Sequence, residues 1–138
     1  MPDRLTPAER SDHMRRIRKR DTSPEMIVRR IAHSLGYRFR LHRPDLPGTP
    51  DLVFPRLHKA ILVHGCFWHQ HSGCSLARQP KSRLDYWLPK LQRNVARDLD
   101  SRQKMELLGW QCMVVWECQT GDRQKLKRRL EQFLHRAD

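Results

Sequence analysis

The sequence predicts a mixed α/β layer fold, with helices packed on a small sheet. Three observations carry that expectation. Short runs of β-forming residues at 37–41, 51–54, 59–64 and 111–117 alternate with segments whose apolar residues recur at helical spacing. Capping residues and glycines punctuate the helical segments. Of the 138 residues 38% are apolar, too many for a disordered chain and enough for one core without disulfides. A single domain over 1–138 is expected, opening with a basic N-terminal helix within 1–20.

The elements follow in order. Thr6-Pro7-Ala8-Glu9 is a capping box with proline at the first helical position. The helix after it, to about Arg18, offers Arg15, Arg16, Arg18 and Lys19 and has only Met14 and Ile17 to bury. Thr22-Ser23-Pro24-Glu25 repeats the capping logic, and Ile27, Val28, Ile31 and Leu35 fall on one face up to Gly36. By position alone, Glu25 reads as the third helical residue of that box. Tyr37, Phe39 and Leu41 alternate with Arg38 and Arg40 as in a half-buried strand. A Pro/Gly loop from His42 to Pro50 leads to the short strand Asp51–Phe54, stopped by Pro55, and to a more buried strand, Lys59–His64, ended by Gly65. The segment from Cys66 to Pro80 reads as a loop. Pro89 is expected to open a long helix with Leu91, Val95, Leu99 and Leu108 on or near one face, closed by Gly109. A strand over Gln111–Glu117 and a last helix from Asp122 to about His135 complete the chain.

Charge narrows the function classes. Lys and Arg number 28 against 15 Asp and Glu, a net +13. Such an excess points to a polyanion, nucleic acid ahead of an acidic protein, because basic side chains displace counterions from phosphates. The longest strictly apolar runs, Ala60–Val63 and Met113–Trp116, are four residues each, which excludes a membrane-spanning helix. Residues Met1–Pro7 carry no secretory pattern, so a cytoplasmic protein with reduced cysteines is expected.

Two constellations carry chemistry. Cys66, His69, His71 and Cys74 lie within nine residues, and Cys118 ends a distant strand. Cys66, His71, Cys74 and Cys118 would make a closed structural Zn2+ site that pins the loop to the sheet. Cys112 reads as packing, although spacing alone leaves Cys112 open as the fourth ligand and His69 open in place of His71. The second constellation is a carboxylate at a strand start, Asp51, beside the strand that ends in His64, with His69 just beyond. An Asp so placed can hold Mg2+, and a neighbouring imidazole can take a proton from an attacking water, which together serve phosphodiester hydrolysis. A strand-entry Asp is also a common turn residue.

On these residues the chain resembles the very-short-patch repair endonucleases of the Vsr type, over nearly its whole length, about Ser11 to Phe133. The matching stretches are Met14-Arg15-Arg16-Ile17, Arg20-Asp21-Thr22-Ser23-Pro24-Glu25, Leu46-Pro47-Gly48-Thr49-Pro50-Asp51, His64-Gly65-Cys66-Phe67-Trp68-His69 and Val115-Trp116-Glu117-Cys118. The resemblance implies a PD-(D/E)xK-like nuclease core and a strand-specific DNA endonuclease. Its substrate would be double-stranded DNA with a T:G mismatch left by deaminated 5-methylcytosine, nicked 5′ of the T. It also implies roles. Asp51 would bind catalytic Mg2+ with the Val63 carbonyl, His69 would be the base, and His64 and Glu25 would position metal-bound water or phosphate. Cys66, His71, Cys74 and Cys118 would hold structural Zn2+. Phe67, Trp68 and Trp87 would wedge into the base stack, with Met14 approaching from the minor groove; each could equally be a packing residue. General mismatch-repair proteins are the further partners implied, and a monomer is expected. Two departures stand out. The strand Lys59–His64 lacks the second acid and the lysine of the broad nuclease motif, as the Vsr type does, and Val63 stands where some relatives have Thr. A restriction-like nuclease of the same fold, or a zinc-bearing mismatch-binding protein with idle catalytic residues, are the alternatives.

Overall fold

The computed structural model describes residues 21–78 and 82–135. The expected basic helix, with Met14, Arg15, Arg16, Arg18 and Lys19, lies outside the described residues. Helix α1 spans Ser23–Ser34, and Thr22 caps it by accepting from the Glu25 N–H. Its end is set by Gly36 at φ +86, with the Gly36 and Tyr37 N–H groups bonded to the carbonyls of His33 and Ala32. Strand β1 (Arg40–Leu41) is shorter than the alternation predicted, and Leu41 is exposed. Tyr37 and Phe39 nevertheless face inward, both against Phe54. Strands β2 (Leu52–Phe54) and β3 (Lys59–His64) follow, joined by a single 3-10 turn at Pro55–Leu57.

Helix α2 runs from Leu84 to Leu107, so it starts a turn and more before the expected Pro89. Pro89 sits inside it, far enough in that its missing N–H leaves only the Asp85 carbonyl without a helical partner. Strand β4 (Gln111–Trp116) stops one residue short of expectation, because Glu117–Gly121 turns into a 3-10 segment, and helix α3 (Arg123–Leu134) ends the described chain. The sheet order is β1-β2-β3-β4; β1–β2 and β2–β3 pair antiparallel and β3–β4 parallel.

The sheet is packed on both faces. Val28 and Ala32 of α1 and Leu126, Leu130 and Leu134 of α3 bury against Leu52, Phe54, Ile61 and Val115. On the other face Met105 of α2 packs with Leu46, Val53 and Ala60, joined by Trp110 and Cys112. Cys112 is thus a packing residue, as read from its neighbours. The expected inner stripe of α2 is corrected: Val95, Leu99 and Leu108 are exposed, while Leu91, Ser101 and Met105 are buried. The inward face is Trp87, Leu91, Asn94, Asp98, Ser101 and Met105, in steps of four and three residues. It carries polar residues because it serves the loops as well as the core. Gly48 lies against it at φ +76, where a Cβ would come within 2.8 Å of the Ser101 Cβ, so the loop that delivers Asp51 docks there without a side chain.

Candidate active site

Strand β3 is antiparallel to β2 and parallel to β4, so the start of β2 and the ends of β3 and β4 meet at one end of the sheet. Asp51 stands at that start. Its Oδ2 accepts from the Val63 N–H at 2.7 Å, a side-chain continuation of the β2–β3 ladder. Burial raises its carboxyl to about 7 against the pull of the Val63 hydrogen bond, and the adjoining Glu25 carboxylate adds to the rise.

Glu25 departs from its expected capping role. It is only 1% exposed, and its carboxylate turns back to the Asp21 N–H (3.2 Å), to Arg29 and to the ring of His42 rather than to Thr22. The helix therefore presents a buried acid beside Asp51. Nothing local in the sequence marks His42 or Arg29, since their contacts with Glu25 are made in the fold.

The imidazoles form the other half. His64 is buried, its ring stacked on His69 with centroids 3.9 Å apart and planes 6° from parallel. Its Nδ1 is buried without a partner, and burial followed by the neighbouring His69 lowers its pKa to about 4, so the ring is neutral near pH 7. His69 Nδ1 lies 2.5 Å from Asp98 Oδ2. Asp98, 29 residues further on in α2, is a site residue that sequence reasoning missed; its only signal is its place in the four-and-three stepping of the inner face.

Cys66, His71, Cys74 and Cys118 gather with their ligand atoms all within 4.8 Å of one another. His71 Nδ1 is 3.7 Å from Cys66 Sγ and 3.5 Å from Cys118 Sγ. A tetrahedral zinc with ordinary Zn–S and Zn–N bonds sets that edge at about 3.6 Å, so donors and spacing both fit the metal. Cys112 and His69 are not in the group. Burial pushes the Cys66 thiol up to about 12, whereas the Leu76 backbone N–H lowers Cys74. The Cys66 N–H bonds to Glu117 Oε1 at 3.3 Å, and Trp116 stacks on His71 at 4.2 Å while meeting His64 edge-on at 5.2 Å.

Phe67, Trp68 and Trp87 form one cluster, with ring centroids 5.2–5.8 Å apart. They are half-buried against each other rather than set in the core. Tyr86 extends the cluster, the Lys90 Nζ lies 5.5 Å from the Trp68 ring, and Asn94 Nδ2 donates to the Trp68 carbonyl at 3.2 Å. No helix among the described residues is long and apolar enough to cross a membrane.

Comparison with known proteins gives a consistent result. A family model described as DNA mismatch endonuclease Vsr matches residues 2–75. The chain is 51% identical over 134 residues to the type II nicking enzyme V.XorIIP of Xanthomonas oryzae pv. oryzae, covering 97% of this chain and 98% of that one. It is 34% identical over 134 residues to the type II nicking enzyme V.NmeAIP of Neisseria meningitidis, covering 97% and 95%. To the DNA mismatch endonuclease Vsr of Escherichia coli it is 40% identical over 126 residues, covering 91% and 80%. With more than half of the chain matched by the family model and these relatives spanning nearly all of it, the chain belongs to the Vsr family of DNA mismatch endonucleases.

Proposed function

We propose that the protein is a Mg2+-dependent DNA endonuclease that nicks one strand 5′ of the T in T:G mispairs, on a PD-(D/E)xK-type core stapled by zinc. The observation that carries the reading is that the carboxylate pair of Asp51 and Glu25 lies at the same end of the sheet as the His64–His69–Asp98 group. Asp51 Oδ2 accepts from the Val63 N–H, and carboxylate oxygens are the donors that suit Mg2+. The Val63 N–H points to Asp51, and in an extended strand a residue's carbonyl projects to the same neighbour, which favours Val63 as an oxygen donor there. Bound at this place, Mg2+ would offset charge developing on the scissile phosphate.

The remaining chemistry belongs to side chains. His69, with Nδ1–H donating a hydrogen bond to Asp98, keeps a lone pair on Nε2 that can take a proton from the attacking water. Asp98 steadies the imidazolium that forms, and the stacked, neutral His64 fixes the ring plane. Phe67, Trp68 and Trp87 supply apolar wedges whose insertion costs least where pairing is already poor. Lys90 brings a cation to the same cluster.

The test is nicking of a T:G duplex against its T:A control, with and without Mg2+. One-strand cleavage of the mismatch alone, dependent on Mg2+, is expected. Cleavage of both strands of the control would turn the reading to a restriction-like nuclease, and binding of the mismatch without cleavage to a non-catalytic one.

A further inference from the structure

We propose that His42, acting with Arg29, is a positioning residue that clamps the Glu25 carboxylate in the orientation in which Glu25 and Asp51 together receive a divalent cation. The inference rests on the proposed metal role of Asp51 and deepens it. His42 Nε2 lies 3.0 Å from both Oε1 and Oε2 of Glu25, astride the carboxylate, and 3.9 Å from Asp51 Oδ1. The imidazole therefore stands at the seam between the two acids. Its own place is fixed through the backbone. His42 adopts φ +48 at the end of β1, and its N–H donates to the Asp51 carbonyl at 3.2 Å, so the ring moves with the residue whose carboxylate it neighbours.

Two arguments make a clamp necessary. The strand β3 carries no acid, so the second carboxylate must come from helix α1, on a side chain with three rotatable bonds. Losing that freedom has an entropic cost that the partners of the carboxylate must offset. A carboxylate as buried as Glu25 also needs hydrogen bonds. Arg29 and the Asp21 N–H each supply one, but both go to Oε2, and Arg29 is shared with the Asp21 carboxylate; His42 also reaches Oε1. The bond astride the carboxylate is the one that fixes its plane. Either the neutral Nε2–H tautomer or the imidazolium can donate it, so the role is geometric.

The experiment compares wild type with His42→Leu, His42→Asn and His42→Gln. Leu keeps bulk without a donor, Asn keeps a donor that falls short, and Gln restores an N–H at about the original reach. Mn2+ binding to the DNA-free protein is read by electron paramagnetic resonance, and the half-saturating Mg2+ concentration by single-turnover nicking of a T:G duplex. Partners that orient a metal-binding side chain are worth roughly 10–100-fold in affinity. His42→Leu and His42→Asn are expected to weaken Mn2+ at least 10-fold and to raise the Mg2+ midpoint in step, with the rate at saturating Mg2+ falling much less; His42→Gln should recover most of the loss. If Leu fails to fold, Asn carries the comparison. Unchanged Mn2+ affinity in the Leu or Asn variant, or equal loss in all three, overturns the clamp. Asp51→Asn separates the two levels: if it abolishes Mn2+ binding and the His42 variants do not weaken it, the clamp alone fails. If Asp51→Asn leaves Mn2+ bound, the metal role of Asp51 fails and the clamp with it.

Discussion

Replacing Asp51 by Asn should destroy nicking and stabilise the protein, and the second effect can be worked from the structure. Burial beside Glu25 raises the Asp51 carboxyl from 3.8 to about 7. The folded state therefore holds this proton more tightly than the unfolded chain. The sign follows from linkage. The contribution of Asp51 to stability is fully present below pH 3.8, is lost as pH rises toward 7, and stays lost above it. At about 1.4 kcal/mol per pH unit the loss approaches 4 kcal/mol at pH 8, as a ceiling. An amide is neutral throughout and can still accept the Val63 N–H. Urea unfolding of both proteins in Mg2+-free, chelator-free buffer should show Asp51→Asn the more stable at pH 8, with the gap shrinking by about 2 kcal/mol or more at pH 5. Mg2+ should protect wild type at pH 8 and not the variant. Binding to DNA should survive, since affinity comes mainly from Lys and Arg. A variant that is less stable than wild type at both pH values would refute the idea that an acid is held here at a cost to the fold for the sake of a cation.

The zinc assignment predicts one tightly bound metal per chain, lost with a marked fall in stability in Cys118→Ser and retained in Cys112→Ser; metal content measured after gel filtration decides, and the opposite pattern would replace one ligand by the other. Asp98→Asn should slow nicking at saturating Mg2+ by about 10²-fold with DNA affinity unchanged, a loss typical of disabling a general base; an unaltered rate would leave His69 without this partner in the reaction. Trp68→Ala should weaken T:G duplex far more than matched duplex, by about 1–3 kcal/mol of lost stacking, whereas neutralising Arg15 or Lys19 should weaken both alike and make the salt slope shallower by about one. Equal losses on the two duplexes for Trp68→Ala would mean that the ring supports the loop and not the mismatch.

The parts legible in the sequence are those whose partners lie close along the chain or whose chemistry is scarce. The dense set of Cys66, His69, His71 and Cys74 with the distant Cys118 is legible because few other roles explain it, although spacing alone leaves Cys112 and His69 open as ligands; the structure gathers Cys66, His71, Cys74 and Cys118. Asp51 and the end of β3 are readable because two short strands joined by a tight turn must lie side by side. Helix α2 was harder for two physical reasons. Its N-cap, Arg83, adopts φ +56 and makes no side-chain cap, so nothing local marks the start, while Pro89 falsely does. Its buried face holds Asn94, Asp98 and Ser101 because a backbone loop, an imidazole and a glycine dock there, so counting apolar residues selects the exposed stripe of Val95 and Leu99 instead. Glu25 reads as a cap because its sequence neighbours fit one; one of the partners of its carboxylate, His42, is 17 residues away.

The proposed zinc and the imidazole pair are not independent features, because one side chain belongs to both. Trp116, the last residue of β4, stacks face to face on His71 and presents its ring edge to His64. From His64 to Cys66 is two residues, and Cys66 in turn is tied to Glu117 and Cys118 through its N–H and its sulfur. His69 lies between Cys66 and His71, and its N–H is bonded to the Gly65 carbonyl. A loop this short gains little from apolar burial, since its aromatics pack on one another and on α2 rather than in the core. Metal ligation supplies free energy far beyond a few ring contacts, each worth about 1 kcal/mol. Holding residues 66, 71, 74 and 118 together therefore fixes where His69 can stand relative to Asp98 and His64. In this architecture the proposed metal, taking no part in the chemistry, would still set the geometry of the proposed base.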